Sequence, residues 1–90
     1  MINNIYSLKN VLSGRFADIF EYPTDAYASE RVKEASQKNP EYIKLDENEL
    51  YRLGTIEVES GKIVPLAEPV LIKIDNKSII EKEEEATERA

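Results

Sequence analysis

Residues 49–72 read ELYRLGTIEVESGKIVPLAEPVLI, and the fold turns on how this stretch divides. Residues 50–58 alternate as a strand should. Leu50, Arg52, Gly54, Ile56 and Val58 fall on one side; Tyr51, Leu53, Thr55 and Glu57 fall on the other. Gly54 inside the run signals a bulge or a close backbone approach. Glu59-Ser60-Gly61-Lys62 is a tight turn leading into a second strand at 63–66. Pro65 and Pro69 have no N–H to give to a ladder, so this part belongs at a sheet edge or leaves the sheet. Residues 70–74, VLIKI, then read as a third, short, apolar strand.

Upstream, two more alternating runs flank Ser13-Gly14, a turn signal, so a hairpin is expected there. In residues 4–10 Tyr6 and Leu8 oppose Ile5, Ser7 and Lys9. In residues 15–22 Phe16, Asp18, Phe20 and Tyr22 oppose Ala17, Ile19 and Glu21. Pro23 ends the second run. Thr24 or Asp25 supplies a side-chain oxygen to cap a helix. Ala28, Val32 and Ala35 form a narrow apolar stripe along it. Asn39-Pro40 stops it, because the residue before a proline is pushed out of helical angles. Residues 41–49 read as a loop with one helical turn at 46–49. The expected fold is therefore α+β: an antiparallel sheet of four or five strands in β-β-α-β-β-(β) order, with one helix packed on one face. A small, partly open β-barrel is the alternative.

Composition bounds the chemistry. Ninety residues with 41% hydrophobic content suit one small domain. The chain has no Cys and no His, which removes disulfides, a thiol nucleophile, imidazole catalysis and the usual zinc ligands. No stretch approaches the roughly 18 apolar residues of a membrane span. The first residues lack a basic start followed by an apolar run, so a protein of the cell interior is expected. Net charge is −6, and it is uneven. Residues 1–74 carry nine Lys/Arg against twelve Asp/Glu; residues 75–90 carry three against six. The natural division is one folded domain over 1–74 and an acidic C-terminal tail over 75–90.

Candidate sites are few. Asp46, Glu47 and Glu49 have no cation-loop spacing, and ESGK at 59–62 lacks the frame of a phosphate loop. The serines have no basic partner in sequence, so an enzyme is not expected and no cofactor is implied. The remaining candidate is a nucleic-acid surface. Lys9, Arg15, Arg52 and Lys62 would contact phosphates, and Tyr6 and Tyr51 would stack bases, with Lys73 and Tyr22 nearby. The plainer reading makes these cations solvated strand positions and these tyrosines half-buried core.

The ordered set of signals resembles a known family. IYSLKNVLSG, FEYPTDAYASE and ENELYRLGTIEVESG together resemble the small non-structural protein of gokushovirus-like Microviridae, which are single-stranded-DNA bacteriophages. Ile5, Tyr6, Phe20, Asp25, Ala26, Ala28, Leu50, Tyr51, Leu53, Gly54 and Gly61 carry the match, over residues 1–72. The resemblance implies a non-catalytic viral accessory protein in the infected host cytoplasm. It would bind single-stranded DNA during replication or packaging. The alternative is a protein-interaction or assembly factor that engages a phage or host protein. A homodimer or higher oligomer is expected, because the chain is short and its VLIKI and proline-bearing edge are available for pairing.

Overall fold

Gly14 and Gly61 adopt φ of 71° and 74°, a region that favours glycine, and each closes a hairpin. At the first turn the Gly14 N–H donates to the Asn10 carbonyl, 2.8 Å; at the second the Gly61 N–H donates to the Glu57 carbonyl, 2.7 Å. The computed structural model describes residues 1–74. The expected tail at 75–90 lies outside the described residues. The elements are β1 (Ile2–Asn10), β2 (Phe16–Tyr22), α1 (Asp25–Lys38), β3 (Asn48–Glu57) and β4 (Ile63–Ile72). The four strands form one antiparallel sheet in the order β2-β1-β3-β4. The class is α+β with one helix. The sheet is open, with β2 and β4 as its edges, so the barrel alternative does not form. Among the described residues no helix is long and apolar enough to cross a membrane.

Three irregularities decide which side chains share a face. On β2, Ser7 pairs with Ile19 but Leu8 pairs with Ala17, which leaves Asp18 as an extra residue at φ 53°. On β3, Ile5 pairs with Gly54 but Tyr6 pairs with Arg52, which leaves Leu53 extra. On β4, Arg52 pairs with Val70 but Gly54 pairs with Pro65, so residues 66–69 bow out of the ladder. Strict alternation therefore misplaces two segments. Phe16 lies across from Lys9, on the opposite face from Phe20 and Tyr22. Beyond the bulge, Thr55 joins the face of Leu50 and Arg52, while Gly54 and Ile56 join that of Tyr51. The two short strands expected at 63–66 and 70–74 are one interrupted strand. The helical turn expected at 46–49 is a turn that runs directly into β3.

One face of the sheet receives the helix. Thr24 caps α1, its Oγ1 accepting from the Tyr27 N–H at 3.1 Å. Ala28 and Val32 then meet Tyr6 of β1 and Leu50 of β3, and these four are the buried core. Leu8, Phe20, Tyr22, Ile43, Leu45, Ile72 and Ile74 pack around them. Burying a side chain such as Val32 or Leu50 contributes about 1.5–3 kcal/mol. The helix N-terminus is tied down by charge. The Asp25 carboxylate accepts from the Tyr6 hydroxyl at 2.7 Å and from Arg52 Nη1 at 2.6 Å. The N-terminal amine of Met1 pairs with Glu59 at the far end of the sheet.

Candidate interaction surface

Among the described residues no helix covers the opposite face of the sheet. Its side chains follow from the registers and form rows across the strands. One row is Phe16, Lys9 and Glu49; the next is Ile19, Ser7, Tyr51 and Leu71. A third holds Glu21, Ile5, Gly54 and Pro65, and a fourth holds Asn3, Ile56 and Ile63. Most of these side chains are apolar. Ile19 is 74% exposed with Phe16 on the β2 edge, and Leu71 and Ile63 are exposed on the β4 edge. A sheet normally buries its apolar face against a second layer. Among the described residues four hydrophobics are buried and thirteen large ones are exposed, and Phe16, Ile19, Ile63 and Leu71 of the thirteen stand on this face. Contiguous exposure of this kind marks an interaction site.

Polar groups on this face are sparse and held locally. The Ser7 hydroxyl donates to the Ala17 carbonyl at 2.9 Å. Lys9 Nζ sits 5.8 Å from the centroid of the Phe16 ring and 5.7 Å from that of Tyr51. The two rings meet edge-on, with centroids 5.5 Å apart. The Tyr51 hydroxyl donates to Glu49 Oε1 at 3.3 Å. Partial desolvation, helped by the Glu49 charge, raises the Tyr51 pKa.

The six residues expected to bind nucleic acid are not assembled into one surface. Tyr6 is fully buried under the helix, so its ring stacks on Phe20 instead of a base. Burial and the hydrogen bond to Asp25 push its hydroxyl up to about 12. Arg52 lies on the same helix-bearing face and is engaged by Asp25. Lys62 is in the β3–β4 turn, across from Glu57. Glu57 is eight residues along β3 from the partner of Lys9, about 26 Å at about 3.3 Å per residue. Lys9 and Tyr51 do come together, with Arg15 exposed one residue before Phe16. Reading from sequence missed Phe16, Ile19 and Leu71 as members of this surface. Asp18 is the signal that could have found Phe16, since aspartate is disfavoured within strands and tolerates positive φ at a bulge.

A cavity of about 320 Å³ lies on the other side, between α1, β2 and the loop after the helix. Leu8, Phe20, Val32, Ala35, Tyr42 and Ile43 line it, with Asp18, Arg31 and Asn48 also in its wall. It is the space left where one helix covers only part of a four-stranded sheet.

Comparison with known proteins returned no matching family model, no matching curated protein and no matching solved structure. The surface is therefore read from its own chemistry.

Proposed function

We propose that this chain is a non-catalytic interaction module that docks a protein surface on its helix-free sheet face. The observation that carries the reading is the set of apolar side chains on that face: Phe16 and Ile19 on β2, Ile5 on β1, Tyr51 and Ile56 on β3, and Leu71 and Ile63 on β4. A basic groove would have favoured nucleic acid instead. Arg52 and Lys62 stand away from Lys9, and Glu21 and Glu49 share its face. The role fits the assembly-factor alternative that the phage resemblance implies, in the cytoplasm of an infected bacterium. The test is an apolar dye titrated with protein at submicromolar concentration. Wild type brightens the dye, and an Ile19→Asp/Leu71→Asp variant with unchanged circular dichroism does not. A wild-type protein that is monomeric at that concentration and leaves the dye dark has no accessible docking face, and the reading fails.

One observation favours a second reading. Lys9 between Phe16 and Tyr51 pairs a cation with two rings, the two ingredients of a single-strand platform. On this reading the chain binds single-stranded DNA at that corner, and Tyr51→Ala weakens binding of a labelled oligonucleotide at low salt. No anisotropy change with wild type at low salt removes it.

A further inference from the structure

We infer that the partner of the helix-free face is a second copy of this chain, packed face to face with its strands reversed. The inference rests on the docking-face reading above. Three features point to it. The first is that sheet extension is blocked at both edges. Pro65, Pro69 and the excursion at 66–69 interrupt β4, and the Asp18 bulge interrupts β2. Such devices disfavour strand addition, so the edge pairing expected from sequence gives way to contact between faces.

The second feature is charge order. Lys9 lies in the first row of the face and Glu21 in the third, across from Ile5. Four residues of β1 separate the two rows, about 13 Å. A two-fold axis along the intervening row, Ile19-Ser7-Tyr51-Leu71, reverses the strands and brings Lys9 over the partner's Ile5, with the partner's Glu21 one strand away, about 4.8 Å to the side and within reach of the lysine side chain. Symmetry repeats the contact with the roles exchanged. Glu49 then lies over the partner's Gly54 and Pro65, where no second carboxylate faces it. The apolar row meets its own copy at the centre, so Ile19 meets the partner's Ile19. The face is complementary to itself under one simple operation.

The third feature is size. Four strands spaced about 4.8 Å apart and some eight residues long give a footprint of about 500 Å² in projection. Specific interfaces begin near about 600 Å² per partner, so the dimer needs most of this face.

The test uses the full chain. Sedimentation equilibrium should show a dimer at tens of micromolar. Ile19→Asp should raise the dissociation constant roughly thirtyfold, the loss of an interface hot spot. Lys9→Glu and Glu21→Lys should each weaken the dimer, and the double exchange should restore it. The chain has no cysteine, so Ile19→Cys alone should give a disulfide-linked dimer on mild oxidation, while Glu30→Cys on the exposed side of α1 should not. A monomer at tens of micromolar that still brightens the apolar dye overturns the dimer and keeps the docking face for another protein. A monomer that leaves the dye dark overturns both. A dimer unmoved by Ile19→Asp and by the charge exchange overturns this geometry.

Discussion

Gly54 sits where β4 comes closest to β3. A Cβ built there would lie 2.4 Å from the Val64 carbonyl oxygen and 2.9 Å from Pro65 Cα. Both are backbone atoms, so neither can rotate aside. Gly54→Ala is expected to lower unfolding stability by about 1–3 kcal/mol, as overpacking does, and the urea midpoint reads it. Tyr6 is a second residue whose environment has a measurable consequence. Its hydroxyl titrates near 12, against 10.0 for an ordinary tyrosine, because burial and the bond to Asp25 favour the neutral form. The native state therefore holds this proton more tightly than the unfolded chain. That stabilisation is present in full below pH 10 and is lost as pH rises through 12. Tyr6→Phe should lower stability near neutrality by about 1 kcal/mol, the worth of a hydrogen bond, and flatten the decline between these two pH values. Urea unfolding at a series of alkaline pH values checks it, and an equally steep decline in both proteins counts against it.

Among the elements, β2 is the one under local strain. Asp18 holds φ at 53° so that Ile19 and Glu21 stay on one face while Phe20 and Tyr22 stay on the other. Glycine reaches this conformation without the Cβ penalty. Asp18→Gly should therefore shift stability by less than about 1 kcal/mol, whereas Asp18→Val, β-branched at positive φ, should cost more than that. Thermal melts of the two variants decide it. The same bulge explains what the sequence could disclose. The strand runs, the glycine turns, the Thr24 cap and the Ala28/Val32 stripe are local signals, and each appears where local chemistry puts it. Gly54 was readable as a close approach for the same reason. Asp18 and Gly54 hint locally at irregularity, but which residue becomes the extra one depends on the partner strands, so the change of face at Phe16 and beyond Leu53 follows only from the registers. The core shared by Tyr6 and Leu50 likewise follows from placing β3 beside β1, a contact between residues far apart in the chain. The helix-free face became visible only once those registers were fixed.

At the scale of the whole molecule, charge sets the terms for any nucleic-acid partner. The net charge is −6, and residues 75–90 hold half of it in three Lys/Arg and six Asp/Glu. The cations near a strand stacked at the Phe16, Lys9 and Tyr51 corner are Lys9, Arg15 and Lys73, which follows Ile72 at this end of β4, whereas Arg52 is engaged by Asp25 and Lys62 is at the other end of the sheet. Each phosphate neutralised in a single strand contributes about −0.7 to the slope of log affinity against log salt, so three such contacts give a slope of about −2.1. Removing residues 75–90 leaves a net charge of −3 and takes away six carboxylates that repel the same phosphates. The truncated chain should bind an oligonucleotide more tightly than the full chain at low salt. The gap should narrow near 0.1 M ionic strength, where the Debye length is about 10 Å and distant charges are screened. Anisotropy titrations of both forms at several salt concentrations measure slope and gap together. A slope much steeper than this would mean that cations beyond Lys9, Arg15 and Lys73 reach the strand, and the corner would no longer describe the site. Equal affinities at low salt would remove the tail from the balance of charge.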